Sequence, residues 1–157
     1  MWDSFGPDIL IVAIGAALTG LIAGGTYAVT FRRLENQALG ALIRQIHERR
    51  AFVEVHAPSL MPEARASDDF GRVAGSVISV RQEIDMARRS VGRSKQLQEA
   101  LTSMKLACNR YLERSAQSPE RYVVQLMELR IELWDDIRRL HGSRPSLPDL
   151  PPGAGSF

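Results

Sequence analysis

Two patterns of apolar and polar positions divide the chain. From Ile9 to Phe31 it runs 23 residues without a charged side chain, and beyond that apolar residues recur at intervals of three and four. At about 1.5 Å rise per residue the first run makes roughly 34 Å of helix, enough to cross a hydrocarbon core of about 30 Å. A helix of this length in a soluble core carries a polar stripe, and this run has none. It therefore predicts a transmembrane helix over 9–31, preceded by a tip at 1–8. A cleaved signal peptide has a cationic tip and an apolar run of about 7–15 residues; "MWDSFGPD" carries Asp3 and Asp8 and no Lys or Arg.

Past the span, Leu39, Leu42, Ile46 and Val53 share one helical face, with Arg33, Gln37, Arg44 and Glu48 opposite. The first helix is expected to continue without a break to about Val55. It ends at "HAPSLMP", because Pro58 and Pro62 cannot extend a helix and push the residues before them toward extended geometry. Ser67-Asp68-Asp69 reads as the next start, a capping hydroxyl followed by carboxylates in the positive first turn. Phe70, Val73, Val77, Val80, Ile84, Ala87 and Val91 then form one seam, and Leu97, Leu101, Met104, Cys108 and Tyr111 form another in a shifted phase. Gly92 and Ser94 favour a break between the two seams; a single helix with a wandering seam is the alternative. "SAQSPER" marks a further start, with Ser118 as cap and Pro119 in the first helical position. The last helix carries Tyr122, Leu126, Leu129, Leu133, Ile137 and Leu140, with a C-terminal glycine cap expected at Gly142.

The expected fold class is all-α: an N-terminal transmembrane helix continuing into a cytoplasmic antiparallel bundle of three to four helices over 32–142. "SRPSLPDLPPGAGSF" has no periodicity and four prolines, so 143–157 is expected to be a flexible Pro-rich tail.

Charge sets the orientation. No Lys or Arg precedes the span, whereas Arg32, Arg33, Arg44, Arg49 and Arg50 follow it, and cytoplasmic flanks are the positive ones. The N-terminus is expected outside and the bundle in the cytoplasm, at the plasma (inner) membrane, with Arg32 and Arg33 as interfacial anchors. The formal net charge of +2 is modest and gives no argument for nucleic acid. The single cysteine, Cys108, cannot form an internal disulfide, which suits a reducing compartment.

Candidate chemistry is sparse. "HERRAFVEVH" lacks the His-Glu-x-x-His spacing that puts two imidazoles on one helix face, and His141 and Cys108 have no ligand-spaced companions, so no metal or cofactor is expected. Glu128, Glu132 and Asp136 step by four along the last helix; they are read as an acidic stripe answering Arg81, Arg88 and Arg89. In "RQEIDMARRSVGRSK" Glu83 and Asp85 interrupt the positive charge, which argues against nucleic-acid binding. No serine has a neighbouring base that would make it a nucleophile, and no catalytic residue is assigned. Tyr111 and Tyr122 flank the last turn and are read as packing across it, each phenol reaching water or a turn carbonyl; the alternative is a peptide-binding site, and with Trp134 they are the candidate interaction surface. Within the span, Ala16, Gly20, Gly24 and Ala28 recur every four residues and include a G-x-x-x-G match. Small residues allow backbones to approach closely in lipid, so the stripe suggests a homodimer through the span, prolonged as a short coiled coil by Leu39, Leu42, Ile46 and Val53; the alternative is that the same groove receives a different protein's helix.

"CNRYLERSAQSPERYVVQLMELR", Cys108 to Arg130, together with the acidic tip, the single span and the Arg doublet, resembles short single-span membrane proteins of high-GC actinobacteria, a family without an assigned activity. The resemblance covers most of the chain except the tail; it implies the topology and supplies no catalytic residues. The functional expectation is a membrane-anchored, non-enzymatic scaffold or regulator that contacts membrane lipid and a protein partner. The competing expectation is a small membrane-active stress or defence effector acting through oligomerisation of its span.

Overall fold

The computed structural model describes residues 26, 29–55, 59–92 and 94–155. The expected tip, nearly all of the expected span, and with it Ala16, Gly20, Gly24 and Ala28, lie outside the described residues. Among the described residues every regular element is helical, and no helix is long and apolar enough to cross a membrane. The chain divides into two compact units, Met1–Leu34 and Glu35–Phe157. In the first, residues 29–34 are helical, and Val29, Phe31, Arg32, Arg33 and Leu34 are exposed.

The second unit is a four-helix bundle. Helical residues 29–48 form α1, of which 35–48 belong to this unit. They are followed by α2 (Asp68–Ser90), α3 (Lys95–Gln117) and α4 (Tyr122–Ser143), with single 3-10 turns at Arg50–Phe52, Ala64–Ala66 and Pro119–Arg121. Polar contacts along the helices give their directions. Glu35 at the start of this stretch of α1 meets Gly92, just past α2, whereas Arg49 at its end reaches Ser79 and Glu83 in mid-α2. Lys105 pairs with Asp85 and Arg88 with Gln98, so α2 and α3 are antiparallel. Arg110 pairs with Glu132 and Arg114 with Glu128, which makes α3 and α4 antiparallel. Arg144, just past α4, returns to Glu35. Neighbours alternate in direction around a closed bundle, as short connections between consecutive helices require.

The apolar seams read from the sequence meet in one core. Val73, Val77, Val80 and Ile84 of α2, Leu97, Leu101, Met104 and Cys108 of α3, and Leu126, Leu129, Leu133, Ile137 and Leu140 of α4 are all buried. Ser67 caps α2 through the Asp69 N–H at 3.2 Å, and the chain breaks between Ser90 and Lys95, so the two seams belong to two helices.

Several expectations are corrected. Leu39, Leu42 and Ile46 are buried within this bundle and are not free to form a coiled coil with another chain. The first helix stops at 48 instead of Val55. The positions that follow Ile46 on its apolar face are Arg49 and Arg50, which cannot enter the core; a 3-10 turn replaces the helix and delivers Phe52 there, fully buried. Ser118 makes no side-chain cap, and Pro119 opens a 3-10 turn instead of α4 itself. Gly142 lies inside α4, whose carbonyls at Leu140 and His141 accept the Arg144 N–H. The described part of the expected tail, 144–155, packs against α1: Leu147 is buried, and the Gly153 and Gly155 N–H groups donate to the Ile46 and His47 carbonyls at 3.2 and 3.0 Å. The carbonyls of the last turn of a helix have no intrahelical partner, and the tail supplies it.

Candidate interaction site

The polar groups that meet in the bundle gather where the chain enters it. Glu35 sits four residues before Leu39 and seven before Leu42, so the helix aims its carboxylate at the core, and it is only 3 % exposed. One oxygen accepts the Gly92 N–H at 2.5 Å, and the other accepts the Arg144 guanidinium at 2.6 Å. Arg144 also donates to Asn36 at 2.8 Å, and Asn36 donates onward to Ser146. One carboxylate thus ties the start of α1, the α2–α3 connection and the segment after α4. A buried ion pair costs desolvation on both partners and persists where further hydrogen bonds complete it; here the Gly92 N–H and Asn36 do so.

Toward the other end of α1, Arg130 of α4 plays a similar part. Its Nε donates to the Phe52 and Pro152 carbonyls at 3.1 and 3.3 Å, and Nη2 pairs with Glu54 at 3.2 Å. His47 Nδ1 lies 2.7 Å from the Pro151 carbonyl, and His141 Nδ1 lies 2.8 Å from the Leu147 carbonyl. Both described histidines therefore hold backbone. Among the described residues no three His, Cys, Asp or Glu side chains converge in a way that could hold a metal ion.

The acidic stripe of α4 is divided differently from expectation. Glu128 and Glu132 pair with Arg114 and Arg110 of α3, at 3.3 and 2.9 Å, and not with α2. Asp136 is buried, held by Arg139 of its own helix; burial raises its pKa, opposed by the Ser103 hydroxyl and Arg139. The α2 arginines go elsewhere: Arg81 donates to Asn109 and Arg88 to Gln98. On α2, Asp85 is held below the ordinary carboxylate range, chiefly by the hydrogen bond from Lys105.

The aromatic candidates are structural. Tyr122 is 2 % exposed; its ring meets Phe70 edge-to-face at 5.5 Å, and its hydroxyl donates to Asp69 at 2.8 Å. Burial, reinforced by the Asp69 carboxylate, pushes this phenol up to about 12. Tyr111 is also buried, and burial raises its pKa too. Both rings are packed, as the first reading of the pair expects, and neither phenol offers the alternative peptide-binding surface. Trp134 is half-buried against the core. Cys108 is fully buried and its thiol is pushed up to about 12 by desolvation, so it carries no thiolate reactivity at neutral pH.

Glu35, Asn36, Arg130 and Arg144 were missed in the sequence. One signal was present: Glu35 and Asp136 both fall at helical spacing from core leucines, and a carboxylate on an apolar face needs a partner. Where the partner comes from is not periodic, since Arg144 lies in a segment read as unstructured. No protein-family model, curated protein or solved structure matches the chain.

Proposed function

We propose that this chain is a single-pass membrane protein, N-terminus outside, whose helical bundle acts non-enzymatically as a scaffold or regulator at the cytoplasmic face. The carrying observation is the uncharged run Ile9–Phe31 and the arginine pair after it, leading within four residues to Glu35, where the compact bundle begins. Support for interaction over chemistry comes from the reactive side chains: Cys108 and the two buried tyrosines pack in the core, and the described histidines bind backbone carbonyls. The small-residue stripe Ala16, Gly20, Gly24 and Ala28 is the surface through which two spans pair or a partner's span docks.

The test is topological. In a Cys108→Ala background, a cysteine at Ser4 reacts with a membrane-impermeant thiol reagent in intact cells, and one at Ser143, exposed on α4, reacts only after lysis. Labelling of both in intact cells, or of Ser143 alone, overturns the orientation. Gly20→Ile or Gly24→Ile lowers span association in a membrane reporter assay, and Leu21→Ile leaves it intact.

A further inference from the structure

The two ends of the bundle differ in charge. The end at which the chain enters contains Glu35, the last turn of α2, the first turn of α3 and the last turns of α4. Its rim carries Arg88, Arg89, Lys95, Arg138 and Arg139, all exposed. The negative charges there are Glu35, neutralised by Arg144; Asp136, buried and held by Arg139; Asp85, held by Lys105 with Arg88 and Arg89 nearby; Glu99, paired with Lys95 at 3.7 Å; and the exposed Asp135, which leaves the cations in excess. The opposite end presents Glu54, Glu63, Asp68, Asp69, Glu113 and Glu120 together with Arg50, Arg65, Arg72, Arg114 and Arg121, all exposed, and is close to balanced in charge. Arg88 and Arg89 also offset the negative end of the α2 dipole, but their stems are long enough for the heads to reach past the helix end. Among the described residues no ion pair or side-chain hydrogen bond holds the head of Arg89 or Arg138, although Arg89 is near enough to Asp85 to help lower its pKa.

We propose that this basic end, rimmed by Arg88, Arg89, Lys95, Arg138 and Arg139, docks on an anionic phospholipid surface. The inference rests on the membrane-anchored reading and extends it: the bundle itself, and not only its anchor, engages lipid. Charge complementarity is one argument, since each Lys or Arg near an anionic leaflet is attracted to it within a Debye length. Reach is the second. Glu35 follows Phe31, the last residue of the uncharged run, by four residues, a chain length of at most about 14 Å. A span ending at Phe31 therefore keeps the start of this end of the bundle within that chain length of the headgroups. An end-on contact also leaves the sides of the bundle open to a protein partner.

The full-length chain, in a Cys108→Ala background, is labelled with a donor fluorophore at a cysteine replacing Gln96, exposed in the first turn of α3, or Gln117, exposed at its far end. It is reconstituted into vesicles of phosphatidylcholine alone or mixed with phosphatidylglycerol, each carrying a headgroup acceptor dye. Energy transfer from position 96 is expected to be greater in the anionic vesicles, with no such excess at position 117. High salt removes the excess, and so does the triple variant Arg88→Glu/Arg89→Glu/Lys95→Glu. At about one headgroup attraction per cation, losing three shifts the docked-to-undocked ratio on the order of a hundredfold. The salt titration of the unmutated rim keeps the result readable if the triple variant folds poorly. No excess at position 96, or an equal excess at 117, overturns the proposal while leaving the anchor intact. Flotation with anionic vesicles only, reversed by salt, overturns the anchor and supports the basic rim; flotation with neither overturns both.

Discussion

The hairpin of α3 and α4 and the pairing of α1 with the segment 144–155 are held together by different physics. Between α3 and α4 the contact is an apolar seam flanked by exposed ion pairs, Arg110–Glu132 and Arg114–Glu128, all half-exposed or nearly so. Between α1 and the C-terminal segment the contact rests on buried polar bonds: Glu35 with Arg144, Arg130 with two carbonyls, and Gly153 with the Ile46 carbonyl. The first kind tolerates loss of any one partner, because water replaces it. The second does not, because each lost partner leaves a desolvated group behind.

Breaking the buried side gives the largest effects. Arg144→Ala leaves Glu35 with one of its two partners, and removing one member of a buried pair costs about 3–5 kcal/mol; a large drop in urea midpoint of the full chain in detergent is expected. A loss equal to that of a surface pair would show that water reaches Glu35 freely. Gly153→Ala comes next. Gly153 has φ +75, and a β-carbon there would fall on the Phe52 carbonyl. The left-handed backbone alone costs about 1–3 kcal/mol for a residue with a side chain, and the clash should detach the segment, read as faster amide exchange at positions 153 and 155, whose N–H groups donate to the α1 carbonyls. The same substitution at Gly75, with open space around it, should be neutral or slightly stabilising.

At the distant end of α4, Tyr122→Phe keeps the ring against Phe70 and loses the hydroxyl's bond to Asp69 and its weaker contact with the Met61 sulfur, an expected cost of about 1 kcal/mol. On the exposed side, Arg110→Ala and Arg114→Ala should each change stability by about 0–1 kcal/mol, and less in high salt. If either matches Arg144→Ala, the contrast between the two regions fails.

The smallest effects are in pH. Asp136 has a raised folded-state pKa, so the folded chain holds its proton longer than the unfolded one. Its contribution therefore falls as pH rises from the ordinary aspartate value through the raised one. Asp85 is lowered, so its contribution is present above the ordinary value and is lost as pH falls through the lowered one. Melting temperature followed from acid to neutral pH should thus change in opposite senses in Asp136→Asn and Asp85→Asn. Asp136→Asn should gain most toward neutral pH and Asp85→Asn should lose most there; parallel profiles would refute the assignment.

These regions also mark how far the sequence could be read. The seams of α2, α3 and α4, the Ser67 cap, the interruption near Gly92 and the antiparallel α3–α4 turn were all legible, because 3.6-residue periodicity and terminal capping are local. Glu128 and Glu132 were recognised as a paired face but assigned to the wrong helix: periodicity gives the face and not the neighbour it meets. Tyr111 and Tyr122 each fall in their helix's apolar seam, which is the signal that favoured packing over an interaction surface.

What the sequence determined by itself is the helical content, the core-facing positions and the uncharged run before Arg32, each a property of a short window. Tertiary structure alone decided that α1 ends before Arg49, that Glu35 is neutralised by a residue more than a hundred positions away, and that a proline-rich segment closes the bundle. The reason is physical. That segment has no hydrogen-bonding pattern of its own, and its place is set by carbonyls that exist as acceptors only once α1 has formed and been buried.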